Sequence, residues 1–139
     1  MIRWLGLGLW YAAIIFTSSL AATPETGGPL VGYLLNKTGH ILGYVVLGVL
    51  LSETLTSPRA GLALRPRLVI AVTIVVGAVL ASLDETRQTF VYGRTGQPSD
   101  VLIDTLGLSG GALLYQWLAR HLTPSATSTR IDDAPADSP

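Results

Sequence analysis

Between Leu83 and Gly111 this 139-residue chain gathers Asp84, Glu85, Arg87, Gln88, Arg94, Asp100 and Asp104, while the flanks Leu68 to Leu83 and Leu106 to Leu118 carry no charge. Earlier in the chain Lys37, His40 and Tyr44 stand at i, i+3 and i+7, a spacing that puts all three on one face of a helix. Such residue types have a limited set of uses. Lys37 and Arg94 are donors suited to an anionic group, and His40, Glu85 or an aspartate can act as general acid or base. At membrane depth an ionisable side chain is costly unless it is paired or lines a wet cavity, so its presence there is by itself a functional-site hypothesis.

Other chemistries fall away. The chain has no Cys, which removes disulfides, thiolate catalysis and Cys-type metal sites. Only two His are present, and His121 lies far from His40 along the helical pattern, so a multi-histidine metal site is excluded. An oxygen-rich divalent site stays open but has no supporting spacing. No Ser sits in a nucleophile-elbow context. The expectation is therefore a site without metal or cofactor.

The elements that must position these residues are apolar. Charged residues make up 13% of the chain, against roughly 25% in ordinary globular domains, and the mean hydropathy is +0.49. The lipid bilayer is thus the expected surrounding. Net charge is zero and the basic residues are scattered, so there is no nucleic-acid footprint.

Four apolar runs follow one another. The first, Ile2 to Leu20, reads as a spanning helix; a cleaved signal peptide is the alternative, and Trp4, Trp10 and Tyr11 count against it. Ala21 to Leu30 is a loop rich in Pro and Gly. The second run extends from Val31 to about Leu55. Ser57 to Arg67 holds three arginines and no acid, which by the positive-inside rule places it in the cytoplasm together with Arg3 and Arg120. The third run, Leu68 to Leu83, is only about 24 Å of helix and needs the residues through Phe90 to approach the roughly 30 Å of a hydrocarbon core.

Val91 to Ser99 reads as a short loop, with Ser99 or Asp100 able to cap the fourth helix. On that helix Asp100, Asp104, Gly107 and Gly111 form one stripe in which the glycines permit close packing. Gly43 and Gly48 can serve likewise on the second helix. The expected fold is all-α: an integral membrane bundle of four transmembrane helices with N- and C-termini cytoplasmic. Residues 1–122 would form the domain, and residues 123–139, rich in Pro, Ser, Thr and Ala, a disordered cytoplasmic tail.

In that topology Lys37 and His40, the acids after Leu83, Arg94 and the two aspartates of the fourth helix meet at the outer end of the bundle. Blander readings apply to each part. Asp100 can be a helix cap, Lys37 can snorkel to headgroups, His40 can be a packing residue beside Tyr44, and Arg87 can face solvent or lipid phosphates. The whole cluster can also be a structural salt-bridge network.

These residues resemble the VanZ-like family of small bacterial membrane proteins, named for a teicoplanin-resistance protein. The resemblance rests on FTSS at Phe16 to Ser19, on the spacing of Lys37, His40 and Tyr44, and on DETRQTFVYGRTGQPSDVLIDTLG from Asp84 to Gly107. It implies a multi-pass protein of the bacterial inner membrane with its first helix retained as part of the domain. It also implies Lys37, His40, Glu85, Gln88, Arg94, Asp100 and Asp104 as the site. Arg87 and Gly43 depart from the family pattern, since relatives often carry His and an acid there.

The resulting expectation is an extracytoplasmic polar site that binds an envelope lipid or cell-wall precursor, with its chemical modification left open and a link to glycopeptide resistance implied by the resemblance. Within it His40, Glu85 and Asp104 take catalytic roles, and Lys37, Gln88, Arg94 and Asp100 hold an anionic or polyprenyl-linked lipid. The competing expectation is a small proton- or ion-coupled transporter, or an assembly partner, with no turnover. Protein partners are not legible in the sequence.

Overall fold

The computed structural model describes residues 2–19, 29–58, 62–91 and 96–122. It is all-α, with α1 over Ile2–Ser19, α2 over Pro29–Thr56, α3 over Pro66–Gln88 and α4 over Pro98–Leu122. The four apolar runs thus become four helices, and prolines open three of them. Pro is tolerated at a first helical position because the N–H it lacks has no intrahelical partner there. The third helix continues past the apolar run as expected, through Asp84 and Glu85 to Gln88. Its end closes in successive three-residue turns, from Thr89 N–H to Thr86, Phe90 to Arg87 and Val91 to Gln88. The fourth helix starts earlier than expected: Ser99 and Asp100 lie inside its first turn, so neither is its cap.

Two helices, Leu30–Thr56 and Pro66–Gln88, are long and apolar enough to cross a membrane by length and composition. In α1 the hydropathy is diluted by Arg3, two glycines and the terminal serines; in α4 it is diluted by Asp100, Asp104 and Gln116. All four nevertheless present large apolar side chains outward, among them Leu9 and Phe16 on α1, Leu42 on α2, Val75 and Leu83 on α3, and Leu106 and Trp117 on α4. So continuous an exposed apolar surface is suited to contact with lipid.

Helix α2 packs chiefly on α4, and the two run parallel, because contacts climb both helices together. Lys37 meets Asp100 and His40 meets Asp104; deeper in the bundle, Gly107 faces Ile41 and Gly111 faces Val45. This is the seam that the glycine spacing anticipates. A Cβ on Gly111 would come within 2.0 Å of the Val45 carbonyl oxygen, and one on Gly48 within 2.1 Å of that of Leu108. Only hydrogen fits at those points. Gly43 belongs elsewhere: it faces Ile14 of α1, and its carbonyl accepts from Trp10 Nε1 at 2.9 Å.

The core lies in two layers. Ile14, Tyr44, Leu47, Ala81 and Leu108 form one, drawn from all four helices, and Leu51, Leu55 and Val69 form the other. At the end of the second layer Arg3 of α1 pairs with Glu53 of α2 at 2.5 Å. The first layer supports the polar cluster.

Candidate functional site

Four carboxyl groups sit at the α3 C-terminus and α4 N-terminus, three of them with almost no exposure, Asp84 at 0%, Asp104 at 1% and Glu85 at 6% of residue surface, and the fourth, Asp100, partly open. Burying that much acid requires partners, and the helices supply them in two groups.

The first group is centred on Asp84. Its Oδ1 accepts from the Ser18 hydroxyl at 2.9 Å and from the Arg87 guanidinium at 2.9 and 3.2 Å, and its Oδ2 accepts from Gln88 Nε2 at 3.2 Å. Arg87 also reaches α1, donating to Ser18 at 2.6 Å and Ser19 at 2.8 Å. The expectation that Arg87 faces solvent or lipid phosphates is therefore corrected. One turn from Asp84 on its own helix, it folds back on that acid and ties the end of α1 to α3. Gln88, which could have joined either acid, joins Asp84.

The second group lies between α2 and α4. Lys37 forms an ion pair with Asp100 and has its ammonium 5.5 Å from the Tyr33 ring centroid. One turn deeper, His40 Nδ1 and Asp104 Oδ2 are 3.4 Å apart, and the imidazole stacks on Tyr44 with centroids 6.4 Å apart. Glu85 faces the same region from α3. Its Oε1 accepts the Gln97 backbone N–H, which fixes the start of α4 against the end of α3. Gly96 makes that approach possible, since a Cβ there would lie 2.8 Å from the Glu85 carbonyl oxygen.

Within this second group three buried polar atoms have no hydrogen-bond partner among the described residues: Glu85 Oε2, Asp104 Oδ1 and Tyr44 Oη. They come from three different helices, and their side chains interact electrostatically with one another. A buried polar atom left unpaired costs free energy, so three in one neighbourhood call for an explanation.

Of the residues named from the sequence, Lys37, His40, Glu85, Asp100 and Asp104 come together in this second group and Gln88 in the first. Arg94 lies outside the described residues. Asp84, Ser18 and Ser19, to which the sequence assigns no role, form the most connected part of the cluster. The only sequence signal for the serines was the FTSS stretch. Among the described residues no group of three or more His, Cys, Asp or Glu is arranged to hold a metal ion.

The profile of the VanZ/LLP1 family matches residues 4–119, which include every residue of both groups. The chain belongs to the VanZ/LLP1 family. The match takes in all of α1 but its first two residues. No curated protein and no solved structure matches the chain. Family membership and the apolar helices together make this a membrane-associated bacterial protein.

Proposed function

We propose that this VanZ/LLP1 protein is a four-span inner-membrane bundle with cytoplasmic termini, whose polar cluster binds the head group of an envelope lipid or lipid-linked cell-wall precursor at the extracytoplasmic face. The orientation follows from the segregation of charge. Arg3, Arg59, Arg65, Arg67 and Arg120 belong to one end, whereas Lys37, Arg87, Arg94 and the four acids belong to the other. The assignment of residues 1–122 as the domain and 123–139 as a cytoplasmic tail is part of the same proposal.

The observation that carries the reading is the convergence of Glu85 Oε2, Asp104 Oδ1 and Tyr44 Oη, buried and without a hydrogen-bond partner among the described residues. Ionised carboxylates are acceptors only, while the phenol can donate or accept. The preferred ligand therefore carries donors of its own, as the hydroxyls of a sugar do. Lys37 spends one of its three donors on Asp100 and keeps others for a phosphate, with Arg94 as the second cation. His40, held by Asp104, and Glu85 are the groups that would move a proton on the bound head group. Asp100 positions Lys37, and Gln88 steadies Asp84.

Native mass spectrometry of the protein extracted with its own lipids tests this. Wild type should retain one anionic or polyprenyl-linked species that is absent from Glu85→Gln, Asp104→Asn and Arg94→Ala. Retention of the same lipids by all four proteins would overturn the proposal. A parallel assay of teicoplanin susceptibility in cells bearing wild type or Glu85→Gln tests the link to resistance.

The same buried acids favour a second reading, proton-coupled movement of a solute without turnover. That reading requires activity to collapse when the pH gradient is dissipated, whereas lipid binding survives in detergent.

A further inference from the structure

A groove of about 430 Å³ runs between α1 and α2. Trp10, Ile14, Leu42 and Val46 give it apolar walls, and Gly39 and Gly43 leave its floor open on α2. At its outer end it is lined by Thr17, Asn36 and His40. His40 is thus shared: one side of the ring lines the groove and Nδ1 faces Asp104 of the polar cluster.

The gap is built into the fold. Helix α1 is tied down at three levels: Arg3 to Glu53, Tyr11 Oη donating to the Leu80 carbonyl at 3.0 Å with Trp10 on Gly43, and Ser18 to Asp84. Between the last two levels Ile14 still packs beside Gly43 of α2, but toward Ser18 a Cβ on Gly39 would meet nothing within 4 Å. The volume falls in the roughly 300–1,000 Å³ range of ligand sites, which are typically apolar with a few convergent polar groups.

We infer that this groove seats one hydrocarbon chain of a membrane lipid, so that the lipid enters sideways between α1 and α2 and delivers its head group to His40. The occupant is chosen by surroundings and continuity. The groove lies along α2, a helix long enough to span the bilayer, and beside the buried Ile14 its walls include the exposed apolar side chains of Trp10, Leu35, Leu42 and Val46, which hydrocarbon would cover. Its polar end opens on the cluster assigned above to the head group, and on that reading the inference rests.

At Gly39 an added Cβ meets no atom within 4 Å, so Gly39→Leu projects into the groove, and Gly110→Leu, at another open glycine on α4, is the control. By native mass spectrometry Gly39→Leu should lose the co-purifying lipid with unchanged thermal stability, while Gly110→Leu keeps it. Retention of the lipid by Gly39→Leu overturns the inference. If Glu85→Gln loses the lipid and Gly39→Leu keeps it, the head-group reading stands without the groove. If Gly39→Leu loses it and Glu85→Gln keeps it, the groove stands without that reading.

A second measurement uses unmodified protein in vesicles doped with phosphatidylglycerol carrying a diazirine in its acyl chain. Cross-links should concentrate in Ala13–Thr17 and Leu35–Val46. An even spread over the outward faces of α3 and α4 would also overturn the inference.

Discussion

Asp84 and Asp104 are equally inaccessible aspartates on adjacent helices, yet they live in opposite conditions. Asp84 has both oxygens occupied by Ser18, Arg87 and Gln88. Asp104 has one oxygen facing His40 at 3.4 Å and the other facing no donor among the described residues. The first is a closed junction that fastens α1 to α3. The second, with Glu85 and Tyr44, has bonding capacity to spare. Burial alone therefore does not mark a binding group, and unspent hydrogen-bonding capacity is the better guide.

The sharpest way to test the contrast is to remove Asp84. Asp84→Ala leaves the half-buried Arg87 guanidinium with hydroxyl partners only and should destabilise the bundle by about 3 kcal/mol, the lower end for breaking a buried pair. Thermal melting in detergent reads that loss directly. A melting curve equal to wild type would mean that the junction is not structural.

Gly111→Ala comes next. It forces α4 off the Val45 carbonyl and should cost about 1–3 kcal/mol, as overpacking commonly does. Because the shift also parts Lys37 from Asp100 and His40 from Asp104, lipid retention should fall with stability. Loss of stability with lipid binding intact would show that the site does not depend on the seam.

Asp104→Asn and Glu85→Gln should behave in the opposite manner to Asp84→Ala. Neither removes a saturated partner, so melting should change by about 1 kcal/mol or less while the co-purified lipid disappears. The comparison breaks if these variants melt as low as Asp84→Ala. Smallest of all is Arg3→Ala at the far end of the bundle. Its pair with Glu53 is more than one-third exposed, and pairs of that kind contribute about 0–1 kcal/mol, so neither melting nor lipid binding should move much.

Periodicity makes the helices and several of their faces legible in the sequence. Lys37, His40 and Tyr44 do share a face, and Gly107 and Gly111 do press against α2, because both follow from 3.6 residues per turn and the size of a side chain. Periodicity fixes which residues share a face but not which helix that face meets. The partners of Arg87 on α1 stand 68 and 69 positions away in the chain, and no spacing rule reaches that far. Asp84 was visible as a charge but not as a hub for the same reason. The start of α4 was misplaced because Ser99 and Asp100 are good caps in isolation, while Pro98 at the first helical position and the clamp of Glu85 on the Gln97 N–H set the boundary.

The parallel pairing of α2 with α4 also dictates an order of events. Lys37 and Asp100 are separated by 63 residues, and all of α3 intervenes. At a synthesis rate of about 5–20 residues per second, the lysine emerges roughly 3–13 s ahead of its carboxylate. For that interval α2 carries a cation and an imidazole with neither aspartate available. The polar ladder is thus the last part of the bundle to be completed, and a chain released before the fourth helix would retain every apolar segment except one while lacking the whole of its acid partners on that helix.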